Sequence, residues 1–383
     1  MIALDYAAEA WLKLLYGEVC MITYNLVNNG IGKVVLTYSF ELIRHGHTVT
    51  LLVGGPCEQE KVDEAVAHGI AVTQLPDKRS DTLGYFEALS KALDEGQFDI
   101  CHVHGNSGMV FPELVIAKCS RVVVVACHCH NTGCEHPVLH RVLRPFVPRL
   151  CDCMFACSDE AGKWLFGNAG FSVIPNSFDL DKFRFDPQAR LELRGAYGID
   201  EDVYILGNVA RLNPEKNHAF LIKVFEAFHA ENPESILMIA GGGPGEKDVR
   251  ALVEASPAND SIMLLGNVKD PAKLYSAMDC FVFPSIHEGL GIVLVEAQLA
   301  GLDCFVSSNV PQDACVSDRF HAISLTETAE RWAGEIAAMA FWPHDRSKDS
   351  FRAGSLEPFD ISSSYRLLEG AYEAALNRKG GRE

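Results

Sequence analysis

The stretch VCMITYNLVNNGIGKVVLTYSFELIRHGHTVTLLV, Val19 to Val53, decides the fold class. Its opening, Val19–Leu26, is apolar and β-branched and reads as a strand, and NNGIG, Asn28–Gly32, reads as a glycine-asparagine loop. Apolar residues then fall at Val34, Val35, Tyr38, Leu42 and Ile43, close to the 3.6-residue period. The spacing predicts a helix over Lys33–Gly46, with Gly46 as its left-handed cap, and a second strand over His47–Val53. Strand, crossover helix and strand in this order make a βα unit on a parallel sheet.

The alternation continues outward. Further strands are expected at Ile70–Gln74, Ile100–His104, Val122–Ala126, Met154–Ala156 and Ser172–Ile174, and a second strand–helix series begins near Val203 with VYILGNVA. Between the two series, FDLDKFRFDPQARLELRGAYGIDED is charged and contains Pro187, which places a domain boundary near residue 185. The fold class is therefore α/β, with domains at 1–185 and 186–360. The first 17 residues form an extra amphipathic segment, and Asp345–Phe359 reads as a loop before a last helix, SSYRLLEGAYEAAL.

Composition narrows the function. The 383 residues are 48% hydrophobic and 22% charged, a globular balance. Thirty-three Lys+Arg against 51 Asp+Glu leave a net charge of −18, which argues against a nucleic-acid partner, since such a protein must neutralise many phosphates. Thirteen cysteines in irregular spacing, behind an N-terminus that carries acids where a signal peptide needs a basic start, point to a reduced cytoplasm. The strongest apolar run, Val122–Cys127, is strand-sized and too short to cross a bilayer, so at most a peripheral membrane contact is expected. Gly30-Ile-Gly32-Lys33-Val34 lacks the third glycine of a dinucleotide fingerprint and the Ser or Thr of a Walker A loop. What remains there is a glycine turn before a helix N-terminus, where free N–H groups attract anions.

Two segments of the second half carry the chemistry. In RLNPEKN, Arg211 and Lys216 lie in the loop after a strand, and a guanidinium fork beside an ammonium at such an edge suits a diphosphate. In CFVFPSIHEGLGIVLVEAQLAG, a strand ends at Pro284, a glycine loop bears Glu288, and the next helix carries Glu296 among Ile292, Val293, Leu294, Val295 and Ala297. A carboxylate on so apolar a helix is out of place unless it has a task. Two such carboxylates also fit a glycosidase pair, although nothing local supplies a hydrolytic water.

Taken together these elements resemble the retaining glycosyltransferases of family 4, the GT-B group with two Rossmann-like domains facing across a cleft, and most closely their bacterial exopolysaccharide and capsule branch. The resemblance runs from about Val19 through FDICHVHG, VVVVACHCHNT, RLCDCMFACSDEAGKWLFG and VIPNSFDLDKF to three specific elements: Arg211-x4-Lys216, the glycine-rich IAGGGPGE, and Glu288-x7-Glu296. Ser177 stands where the family usually has glycine after Pro-Asn.

The resemblance implies that Arg211 and Lys216 hold the donor diphosphate, that Glu296 binds the ribose hydroxyls, and that Glu288 lies near the donor sugar. Gly32, Gly241, Val268, Gly289, Leu290, Gly291 and Ile292 would line the donor, and either His128 or His130 would stand near the acceptor hydroxyl. The last helix, 361–383, would cross back to the first domain. The implied reaction is metal-independent, retaining transfer from a nucleotide-diphosphate sugar, with UDP the expected nucleotide, to a saccharide or lipid-linked saccharide. The donor is a substrate and no cofactor is implied. A nucleotide-sugar epimerase or a sugar phosphorylase on the same fold is the alternative.

A zinc reading of CHCHNTGCEH is disfavoured, because Cys-x-Cys is not the usual ligand spacing, and no metal is assigned. Five basic residues between Leu114 and Cys151, namely Lys118, Arg121, Arg141, Arg144 and Arg149, face one acid, Glu135. Within HPVLHRVLRPFVPRL they mix with Val, Leu and Phe, as an element lying on an anionic membrane surface would, which gives an expected location in the cytoplasm or on the inner membrane face.

Overall fold

A computed structural model describes residues 17–27, 30–268, 270–288, 291–340, 345–346 and 351–380. The N-terminal amphipathic segment read from the sequence lies, but for Gly17, outside the described residues. The chain forms two compact units: one runs to Asp179 and resumes at Glu357, the other is Leu180–Leu356.

The first unit holds a seven-stranded sheet of β1 (Glu18–Thr23), β2 (Thr48–Val53), β3 (Ala71–Gln74), β4 (Ile100–Gly105), β5 (Val124–Cys129), β6 (Cys153–Ala156) and β7 (Ser172–Val173). Its order is β3-β2-β1-β4-β5-β6-β7 and every pairing is parallel. A parallel sheet is covered on both faces, which is why β5, VVACHC, is buried throughout instead of alternating. The helix after β1 starts at Gly30, not Lys33, and Gly32 is buried in its first turn. The first-turn N–H groups have no intrahelical partner in any helix, so glycine weakens a helix least there.

The helix Ile361–Gly380 belongs to this unit. Ile361, Tyr365, Leu368, Tyr372 and Ala375 recur at intervals of four and three and enter the same core as Val19, Met21, Leu42, Val124 and Phe155. Its polar atoms are also placed: His47 Nε2 lies 3.2 Å from the Tyr365 hydroxyl, and Lys379 Nζ donates to Asp152 at 2.8 Å.

The second unit repeats the plan with β8 (Tyr204–Val209), β9 (Ser235–Ala240), β10 (Ile262–Gly266), β11 (Cys280–Phe283), β12 (Asp303–Ser307) and β13 (Phe320–Ile323). Their order is β10-β9-β8-β11-β12-β13, again all parallel. The stretch read as a charged linker contains a helix, Pro187–Tyr197, capped by the Asp186 carboxylate. Its Arg194 is 1% exposed, donates to the carbonyls of Ala277, Asp200 and Val203, and pairs with Asp279. Behind β8, the helix His218–Glu231 opens on a buried imidazole whose two nitrogens have no hydrogen-bond partner among the described residues. Burial, with the nearby Lys216 charge, lowers the His218 pKa to about 4.

Two outcomes follow from this packing. Leu368→Ala, at a position 1% exposed, removes a core side chain and should cost about 2–5 kcal/mol in denaturant unfolding. His218 is neutral when folded while its unfolded form takes a proton near pH 6.5, so stability is lost as pH falls below about 6.5 and the loss levels near 4. The loss reaches up to about 3 kcal/mol, and His218→Phe should flatten the melting temperature against pH in that window.

Candidate active site

In the second unit the strand order reverses between β8 and β11, and loops leaving two such strands diverge and open a crevice at their C-terminal ends. The loop after β8 carries Arg211 and Lys216, and the loop after β11 carries Glu288. Backbone contacts join the two loops. The Glu215 carbonyl accepts from the Ser285 hydroxyl at 3.0 Å and from the Ile286 N–H at 2.8 Å. Asn213 accepts from the Lys216 N–H, and Asn217 takes a left-handed conformation, φ 57°, that aims the chain into the next helix.

Across this joint the Lys216 ammonium pairs with the Glu288 carboxylate, with side chains 17% and 8% exposed, and lies 5.4 Å from the Phe283 ring. Arg211 is exposed, and its guanidinium has no partner among the described residues. The sequence reading set Arg211 beside Lys216; among the described residues Lys216 pairs with Glu288, and Arg211 makes no ion pair.

The glycine-rich turn after β9 packs backbone to backbone on the same loop. Leu212 N–H donates to the Gly242 carbonyl at 2.9 Å and Gly245 N–H donates to Leu212 at 2.8 Å. At Gly241, φ 137°, a Cβ would stand 1.8 Å from the Ala210 carbonyl oxygen, so only glycine fits. On the other side of the crevice Gly291, φ 79°, caps the helix Ile292–Leu299, whose first N–H groups are unsatisfied within the helix. Gly289 and Leu290 lie outside the described residues. Val268 follows β10 and is half-buried, as is Ile292.

Glu296, one turn into that helix, accepts a 2.7 Å hydrogen bond from the Tyr275 hydroxyl. Burial, reinforced by the Glu296 charge, holds the Tyr275 pKa well above its ordinary value, so the phenol remains a donor. Sequence reasoning missed Tyr275, which it placed only as part of a helix. Nothing in AKLYSAM shows that its hydroxyl reaches a residue from another helix.

The first unit brings four imidazoles to the C-terminal ends of β4 and β5. His104 lies in register with His128, and His102 and His130 flank them on the same face. His128 is fully buried, with the His130 ring 4.2 Å away and the His102 and His104 rings each 5.6 Å away. His130 is half-buried, its Nε2 lies 2.9 Å from His104 Nδ1, and burial lowers its pKa to about 4. Of the two histidines put forward for the acceptor, His130 reaches the surface and His128 does not. Gly32, expected in a loop beside the diphosphate, is buried in a helix instead. Near the same strands, Val138, Leu139, Val142 and Phe146 stand exposed among Arg141, Arg144 and Arg149. No helix among the described residues is long and apolar enough to cross a membrane.

This geometry agrees with the chain's relatives. Residues 28–182 match the model of Glycosyltransferase Family 4 and residues 189–340 that of Glycosyl transferases group 1. The chain is 31% identical over 304 residues to EpsF of Bacillus subtilis (strain 168), named as a glycosyltransferase, covering 74% of this chain and 77% of that one. It is 25% identical over 248 residues to the UDP-Gal:alpha-D-GlcNAc-diphosphoundecaprenol alpha-1,3-galactosyltransferase of Escherichia coli, covering 61% and 64%. The fold superposes on Anabaena HepE, crystallised with UDP and glucose, with a TM-score of 0.71 at 17% identity over 92% of this chain and 98% of that one. With two parallel Rossmann-like sheets, a basic loop and an acidic loop joined at a switch point, and matches along both halves, this chain belongs to the family 4 glycosyltransferases of the GT-B fold.

Proposed function

We propose that this glycosyltransferase moves a sugar from a UDP-sugar to a lipid-linked saccharide, with retention at the anomeric carbon and without a divalent metal at the diphosphate, in exopolysaccharide or capsule synthesis. The observation that carries the reading is the Lys216–Glu288 pair joining the loops after β8 and β11, with Arg211 exposed on the same loop as Lys216 and without a partner among the described residues. As the glycosidic bond to phosphate breaks, the sugar gains oxocarbenium character and negative charge builds on the diphosphate. Cations already in place stabilise that state without reorganising.

In this reading Arg211 grips the diphosphate, Lys216 neutralises its developing charge, and the N–H groups from Gly291 onward point at phosphate and sugar. Glu296, oriented by Tyr275, takes the ribose hydroxyls. Glu288 has two tasks, fixing Lys216 and facing the donor sugar. His130 stands by the acceptor hydroxyl. The UDP and lipid-linked assignments draw on the nucleotide held by Anabaena HepE and on the named acceptor of the Escherichia coli relative. The exposed apolar residues and arginines of 137–150 fit an anionic lipid surface that presents such an acceptor.

Arg211→Ala tests the reading cleanly, because its side chain is exposed and supports nothing. The melting temperature should stay unchanged while kcat falls by about 10²–10³. Transfer that persists in Arg211→Ala but vanishes in brief EDTA treatment would overturn it. UDP-sugars should raise the melting temperature more than GDP-sugars, and NMR of the product should show the donor's anomeric configuration. Anionic liposomes at low salt should bind the wild type and release it as salt rises, with Arg141→Glu/Arg144→Glu weakening the binding.

A further inference from the structure

We propose that His102, His104 and His128 form a metal site in the first unit that takes one borderline-soft divalent cation, Zn²⁺ in the first instance, as a structural ion. This departs from the sequence reading, which assigned no metal and weighed only a mixed Cys–His site at Cys127–His136.

Strand alternation dismantles that mixed site and builds another. Cys127 and Cys129 point to the face of β5 that packs with Leu114 and Leu165, while His128 and His130 point to the opposite face. On that opposite face β4 contributes His102 and His104, two residues apart, with His104 directly in register with His128. One nitrogen from each of the three rings lies within 4.8 Å of the other two, and this is the one such cluster among the described residues. All three rings are buried, His102 and His128 fully and His104 at 5% exposure.

The hydrogen bonds of the three rings leave ligating nitrogens available. His102 Nδ1 is engaged by the Tyr372 hydroxyl at 2.6 Å, and His104 Nδ1 by His130 Nε2 at 2.9 Å. In both rings the other nitrogen, Nε2, is buried with no partner among the described residues, and His128 is engaged by no side chain there, its one polar neighbour being the Ile174 backbone. Metal-bound histidines are oriented in this way, by a second contact on the nitrogen that does not ligate. Unpaired polar atoms in a core are costly and call for an explanation.

An all-imidazole, oxygen-free donor set selects Zn²⁺, Cu²⁺ or Ni²⁺ over Mg²⁺ or Ca²⁺. With Zn–N near 2.0–2.1 Å, tetrahedral ligand atoms stand about 3.4 Å apart, so nitrogens now within 4.8 Å of one another would draw together by at most about 1.4 Å on binding. The ion would tie β4 to β5 beneath the C-terminal helix. The three histidines belong to the first unit and the Lys216–Glu288 pair to the second.

The test uses the full chain, stripped with a strong chelator and titrated with Zn²⁺ and, separately, Co²⁺. Elemental analysis should find about one equivalent of zinc per chain after desalting, and the melting temperature should climb with the logarithm of free Zn²⁺. Bound Co²⁺ should show tetrahedral d–d absorption without a thiolate charge-transfer band. Cys127→Ala and Cys129→Ala should keep the ion, and His104→Gln and His128→Gln should each lose it. If either histidine variant fails to fold, the Co²⁺ spectrum of the wild type decides. No stoichiometric metal in the wild type, a thiolate band, or zinc retained by the folded histidine variants would each overturn the proposal. None of these readouts involves sugar transfer, so the site stands or falls apart from the proposed reaction.

Discussion

The second unit turns on one constraint: parallel strands whose order reverses must send their loops in opposite directions. Between β8 and β11 this leaves an opening that no crossover helix covers. Such an opening would be a defect in the core if its walls were not joined. The Glu215 carbonyl, serving both Ser285 and Ile286, and the Lys216–Glu288 pair behind it make that joint. An ion pair between side chains this buried is maintained mainly because removing one partner leaves the other charge stranded. The pair therefore fixes geometry more than it adds stability, and geometry is what a catalytic cation requires.

The glycine turn serves the same end by a different route. With Gly241 at a backbone distance no Cβ tolerates, the 241–245 segment and the 210–212 segment exchange main-chain hydrogen bonds directly. Main-chain contacts of this kind have few rotatable bonds, so the position of Arg211 is set by backbone on both sides. Its free guanidinium can then reach a ligand from a rigid base. Tyr275 plays a comparable part for Glu296, whose carboxylate would otherwise choose among several rotamers.

How much of this was legible follows from how local each signal is. The apolar runs of β1, β2, β5 and β11 declare themselves because burial on both faces leaves no polar alternation to confuse them. Arg211, Lys216, Glu288 and Glu296 could be picked out because their spacings are short-range facts of the sequence. The start of the first helix was misplaced because glycine reads as a breaker, while the buried position of Gly32 is decided by its neighbours in space. The 187–197 helix was hidden by its charges, and Arg194 in particular reads as a surface residue until five carbonyl and carboxylate partners, from residues 200–203 and 277–279, are seen around it. The His102–His104 pair was visible as an i, i+2 repeat, but its meeting with His128 depends on the β4–β5 register, which no local pattern encodes.

The net charge of −18 seems at odds with a doubly anionic donor, and the resolution lies in distance. At physiological salt a charge is screened over about 8 Å, so the acidic surface as a whole contributes little at the crevice. In the proposed reading, what the diphosphate meets is set by groups within a few ångströms: the Arg211 guanidinium, the Lys216 ammonium paired with Glu288, and the N–H groups of a helix start capped by Gly291. Because Glu288 already satisfies part of the Lys216 charge, the resting site is less positive than two free cations would be. The full field is available only to a ligand that can compete with a carboxylate at short range. A diphosphate can do so, and it does so more strongly as the glycosidic bond breaks and its charge grows, which weights the interaction toward the transition state instead of the bound substrate.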